Sequence, residues 1–225
     1  GIEAKGLAAL CEELEGRDGV ELWVCAPDAP RSACGHGMTL TRPVCAKEVE
    51  ERRFALGGLP SDCVYVAMFG LMPRRPDVVI SGINRGPNLG TDVVYSGTVA
   101  GAREAVIRRV HGVAVSLVSG EEYAPAAKSA VEIALELAKI DGPARLLNLN
   151  YPSGPFEGPA LAQLGAELEG QFLHFGCGDA HGFSRLDSVR SGSASRRAAA
   201  SRAASSARRG GAPAGGGSGS VAPTK

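Results

Sequence analysis

Amphipathic stretches alternate with short apolar runs along most of the chain, and that alternation sets the expected elements. Residues 3 to 15 place Leu7, Leu10, Cys11 and Leu14 on one face of a helix, and Gly16 and Gly19 flank the turn that ends it. Val20 to Ala26 alternates and then turns continuously apolar, as a half-edge or buried strand does. Arg42 to Phe54 is charged and predicts no defined element. Pro60 to Phe69 reads as a helix with Pro60 in its first turn and Cys63, Val66 and Ala67 turned to a core. Val78-Val79-Ile80 has the length and β-branched character of a buried parallel strand. It breaks into a glycine- and amide-rich loop, Ser81 to Gly90, before the pattern restarts as a helix over Ser96 to Arg109. Val113 to Leu117 reads as a strand and Ala124 to Ile140 as a helix striped by Ala127, Val131, Ala134, Leu135 and Ala138. Leu146 to Asn150 is the last strand the pattern supports.

Strands alternating with helices predict an α/β fold with a mostly parallel sheet, doubly wound, with right-handed crossovers. The loops after residues 26, 81 and 150 then meet at one edge, where such sheets keep their ligand crevice. Beyond Ser153 the periodicity decays. Residues 154 to 187 hold Gly and Pro without a sustained period, and residues 188 to 225 are almost wholly Ser, Ala, Arg and Gly. Val189 and Val221 are the large apolar residues of that last segment, too few to offset its ordering entropy, so it is expected to be disordered. The functional alternative is a basic tail that binds acidic partners. The expected division is therefore 1–153, 154–187 and 188–225.

Charge changes this picture little. The 225 residues carry 24 basic and 24 acidic side chains, but from Arg190 onward there are six arginines, one lysine and no carboxylate. Removing those seven leaves 17 basic against 24 acidic residues, a net of −7 for the body. That balance argues against specific nucleic-acid binding. Six cysteines (Cys11, Cys25, Cys34, Cys45, Cys63, Cys177) form no C-x-x-C pair, and a disulfide framework is not expected at this size. No apolar stretch reaches the length of a membrane span and no signal peptide is visible, so the expected location is cytoplasmic.

The candidate chemistry lies between Pro76 and Glu104. A strand, a glycine-rich loop and a helix start, capped by Ser96 or Thr98, form the usual anion-binding corner of an α/β protein. Free backbone N–H groups and the positive end of the helix dipole converge there. Asn84 and Asn88, four apart, can aim carbonyl oxygens at one point, as suits a hard divalent cation beside a phosphate. The same residues also suit a purely structural turn, with glycines at positive φ and asparagines in Asx-turns.

Four separated stretches carry a resemblance. SGINRGPNLG with YSGTVAGAREA is the first; Ala26-Pro27-Asp28 to Arg31-Ser32-Ala33 is the second. Gly58-Leu59-Pro60-Ser61-Asp62-Cys63-Val64 and Leu147-Asn148-Leu149-Asn150-Tyr151-Pro152 complete the set. In order and spacing they resemble the stationary-phase survival protein family (SurE) over about residues 1 to 152. The resemblance implies a three-layer α/β/α fold and a metal-dependent phosphatase of nucleoside monophosphates, a 5′- or 3′-nucleotidase of the acid phosphatase type. It implies Mg²⁺ or Mn²⁺ as cofactor and oligomers built from later strands.

The family's metal ligands are two adjacent aspartates, a serine and an asparagine. By the resemblance the serine is Ser32 and the asparagine Asn84, while Asn88, Ser96, Gly97 and Thr98 fall on phosphate-contacting positions. The aspartates stand directly before the position of Gly1, at the end of the family's first strand. The expectation is a sheet lacking that inner strand and an activity impaired by the absent carboxylates. The alternative is a non-catalytic phosphate- or nucleotide-binding domain, or an inactive remnant with a basic interaction tail. Beside these, Ser32 also reads as a turn serine, and His36 as either a proton donor or an exposed loop histidine. Asp28 and Asp92 are the carboxylates that could substitute for a missing ligand.

Overall fold

The computed structural model describes residues 1–154, 156, 158–163 and 171–175, the last five and residue 163 by their backbone. All belong to one compact unit, Gly1–Phe183. The expectations for the 188–225 tail, and for most of 154–187, lie outside the described residues.

The element order is α1 (Lys5–Leu14), β1 (Val24–Pro27), β2 (Ala46–Glu50), β3 (Arg53–Leu56) and α2 (Pro60–Val66), which runs into a π-helical turn at Ala67–Leu71. Then come β4 (Val78–Arg85), α3 (Asp92–Tyr95), α4 (Gly97–Ile107), β5 (His111–Leu117), α5 (Ala124–Ala138), β6 (Leu146–Tyr151), β7 (Pro159–Gln163) and β8 (Gln171–Phe175). The fold is α/β. A five-stranded sheet runs β4-β5-β6-β8-β7, parallel except for β7.

Period-two alternation gives the parallel sheet its two apolar faces. Val113, Val115, Leu117, Leu149 and Tyr151 pack with Leu10 and Leu14 of α1 and Ala127, Val131 and Ala134 of α5. On the opposite face Ala114 packs with Val99 and Ala102 of α4. Three layers result, with the sheet between α1/α5 and α4. The α4 backbone lies almost on β5: a Cβ at Gly112 would stand 2.1 Å from the Ala102 carbonyl oxygen, so only glycine fits.

β1, β2 and β3 form a separate sheet of order β1-β3-β2, parallel between β1 and β3 and antiparallel between β2 and β3. Among the described strands, β1 and β4 each keep one unpaired edge, and both edges line a single cavity of about 1020 Å³.

Three local expectations change. Arg42 to Phe54, without a readable pattern, contains the β2–β3 hairpin; β2 is exposed at every position, so no apolar period marks it. Ser81 to Arg85 is strand rather than loop, because the ladder resumes at Asn84↔Ser116 and Arg85↔Leu117 after an irregularity at Ser81. Beyond Ser153, where no element was expected, β7 and β8 extend the sheet past β6. Among the described residues no helix is long and apolar enough to cross a membrane.

Candidate functional site

The corner is assembled by the carboxyl ends of β4, β5 and β6 and the start of α4. Asn84, Ser116 and Asn150 stand side by side on the three strands, Asn84 paired with Ser116 and Ser116 with Asn150. The 86–91 loop folds over this polar row and leads through α3 into α4. Ser96 is the N-cap of α4: its hydroxyl oxygen accepts from the Val99 N–H at 3.1 Å. Of the two residues able to cap, the serine does so, because it alone has the extended backbone of an N-cap, φ −72° and ψ 120°. The N–H groups of Gly97 and Thr98, in the first turn, have no intrahelical acceptor and carry the positive end of the helix dipole.

Gly97 is buried against the preceding loop. A Cβ there would lie 2.7 Å from the Cys34 sulfur and 3.0 Å from Pro60 Cγ, so loop, α2 and α4 meet with no room for a side chain. The Cys34 thiol is pushed up from its ordinary pKa, mainly by burial.

Ser32, Asn84, Asn88, Ser96, Gly97 and Thr98 all line the cavity between the two sheets. Ser32 is exposed on its loop; Asn84 and Thr98 are half-buried. Asn84 donates its side-chain amide to the Gly86 carbonyl at 2.8 Å, so its carbonyl oxygen is the group left to accept a hydrogen bond or meet a cation. Asn88 is buried, with its side-chain amide donated to Ser116 Oγ at 2.6 Å. Asp92 also lines the cavity. Asp28 does not: it is tied to Arg31 at 3.0 Å.

Oxygen donors from Ser32 and Asn84 suit a hard divalent cation in kind, but they are neutral and contribute no charge. Among the described residues no group of three or more His, Cys, Asp and Glu is placed to hold a metal ion.

Several residues support the corner without touching the cavity. His36 Nε2 lies 2.8 Å from Glu104 Oε2, and Arg108 donates to Glu104 Oε1 at 2.8 Å. Glu104 is only 2% exposed, so α4 anchors the 31–40 loop through a buried carboxylate. Asp62 accepts from the Thr39 hydroxyl at 2.6 Å and from the Leu59 N–H at 2.8 Å, tying the same loop to α2. Sequence reasoning gave neither acid a role; the signal was their place inside apolar helical stretches, where an unpaired carboxylate is costly.

A profile of the family described as "Survival protein SurE" matches residues 1–169. The chain belongs to the SurE family. It is 44% identical over 174 residues to the 5′-nucleotidase SurE of Anaeromyxobacter dehalogenans, covering 76% of this chain and 67% of that one. The 5′-nucleotidase SurE of Synechococcus elongatus is 44% identical over 165 residues, covering 70% of this chain and 64% of its own length. The chain therefore spans about two-thirds of these SurE relatives. The crystal structure of the SurE protein from Aquifex aeolicus superposes with a TM-score of 0.62 at 29% identity, over 78% of each chain.

Proposed function

We propose that this SurE domain hydrolyses phosphomonoesters, with nucleoside 5′- or 3′-monophosphates as substrates, at the cavity between β1 and β4. The observation that carries the reading is that six residues from three separated segments line that one cavity, with the open N-terminus of α4 among them. The Gly97 and Thr98 N–H groups and the Thr98 hydroxyl would donate to non-bridging phosphate oxygens. The Ser96 hydroxyl accepts from Val99 and keeps its proton to donate outward. These donors stabilise charge as a water oxygen bonds to phosphorus, the P–O ester bond breaks and the leaving oxygen ends with a proton that the water gives up. Ser32 and Asn84 would hold Mg²⁺ or Mn²⁺, which supplies charge offset and a more acidic bound water.

Ser32 and Asn84 are neutral, so these two ligands by themselves hold such an ion weakly. A version extended by a strand ending in Asn-Asp-Asp directly before Gly1 should hold the ion more tightly and turn over faster than residues 1–225 alone. Two added carboxylates should raise metal affinity on the order of a thousandfold. The experiment is phosphate release from a panel of mononucleotides, with and without chelator, and Mn²⁺ titration calorimetry, on both versions. Equal affinity and rate in the two would overturn the assignment of the ligands, with Asp92 the next residue to test. Nucleotide binding without turnover in either version would favour a non-catalytic binding domain.

A further inference from the structure

We propose that Asn148 and Asn150 of β6, with Ser116 of β5, are positioning residues that clamp Asn88, hold the 86–91 loop and thereby keep the phosphate corner at the start of α4 in its working shape. The inference rests on the phosphate reading of the α4 corner and assigns it residues that make no contact with phosphate themselves.

In the LLNLNY strand, period-two alternation sends Leu147, Leu149 and Tyr151 to the α1/α5 core and both asparagines to the opposite face. Both asparagines are completely buried. Asn150 Oδ1 accepts the Asn88 backbone N–H at 2.8 Å, and its Nδ2 donates to the Asn88 carbonyl at 3.3 Å. One carboxamide thus treats Asn88 as a neighbouring strand residue would, meeting both its backbone groups. Asn148 Nδ2 donates to the same carbonyl at 2.8 Å. The Asn88 side chain completes the clamp by donating to Ser116 Oγ at 2.6 Å.

The side-chain hydrogen bonds that hold Asn88, in the middle of the 86–91 loop, therefore come from the sheet below it. The arrangement is not what stability alone would select. Asn148 Oδ1 is buried without a hydrogen-bond partner among the described residues, and an unpaired buried acceptor is destabilising. An apolar pair at 148 and 150 would continue the sheet at lower cost but leave the Asn88 backbone N–H and carbonyl without these partners. The loop it pins carries Asn84's partner Gly86 and leads into α3 and the Ser96 cap, so its position sets where the donors converge.

The test compares the wild-type chain with Asn150→Asp, Asn148→Asp and Ser116→Ala, reading two quantities. The first is the affinity for inorganic phosphate in chelator, followed by ³¹P line broadening. The second is amide hydrogen exchange at Asn88 and along β5. Asn150→Asp keeps the acceptor for the Asn88 N–H but sets an oxygen against its carbonyl. It should weaken phosphate binding about tenfold or more and release the Asn88 amide while β5 protection stays. Asn148→Asp and Ser116→Ala, each removing one bond, should weaken it by smaller factors. Unchanged Asn88 protection in Asn150→Asp would overturn the clamp whatever happens to phosphate. Released Asn88 with unchanged phosphate affinity would show the clamp to be structural only and overturn its positioning role. A wild-type chain that binds no phosphate would overturn the corner's reading, and the positioning role with it.

Discussion

At the scale of single residues, the site is controlled by contacts that leave no slack. Gly97→Ala would drive a methyl into Cys34 and Pro60, and overpacking of this kind costs about 1–3 kcal/mol. The expected outcome is a lowered thermal midpoint, partly recovered by adding Cys34→Ala, because the sulfur is the nearer of the two obstacles. No recovery would mean that Pro60 alone sets the limit. Cys34 also predicts a pH effect. Burial raises its thiol pKa, so less thiolate is present at neutral pH than an unburied cysteine would have. Iodoacetamide labelling of Cys34, read by mass spectrometry, should be slow near neutrality and accelerate as pH rises. Once labelled, the added group occupies the space in front of Gly97 and should abolish phosphate binding.

At the scale of elements, α4 has two separable jobs, which Ser96 joins. As an N-cap its loss in Ser96→Ala should cost about 1 kcal/mol in unfolding free energy. Ser96→Asp should keep the cap, since aspartate serves as well there, but place a negative charge where the phosphate would lie. The expected pattern is near-normal stability with phosphate binding lost in the aspartate variant. Parallel losses of both properties would contradict the division. Farther along the helix, Glu104 accepts from Arg108 and pairs with His36. Glu104→Ala should cost about 1.5–3 kcal/mol, the range for hydrogen bonds to a charged group. It should also raise protease sensitivity in the 31–40 loop, read by limited digestion. His36→Ala should loosen that loop with a smaller loss of stability, since the Arg108 partner remains.

At the scale of the whole molecule, the cavity between the sheets is where added structure should change both stability and phosphate chemistry. Apolar side chains of α1, β1 and β4 line it, among them Leu10, Val24, Ile80 and Ile83. A strand placed between β1 and β4 would pair two open edges and cover those side chains together. The extended version carrying Asn-Asp-Asp before Gly1 should therefore unfold at a higher temperature than 1–225. Amides of β1 and β4 should exchange more slowly in it. Unchanged exchange at both strands would show that the added segment does not enter the cavity.

The residues themselves determined the alternation of elements and pointed to the corner that β4, β5, β6 and α4 assemble. Buried strands such as Val113 to Leu117 and amphipathic α5 write their period directly into apolar positions, and four motifs carried the family likeness. The tertiary structure decided what apolar period cannot encode. β2 is exposed throughout, and the Ser81–Arg85 end of β4 is held by a ladder with β5 rather than by its own polar, glycine-bearing sequence. The backbone of Asn88 is met by side chains about 60 positions away, those of Asn148 and Asn150. Glu104 likewise took its role from His36, 68 residues earlier. Hydrogen bonds between distant polar side chains follow no period, so only the folded chain brings them together.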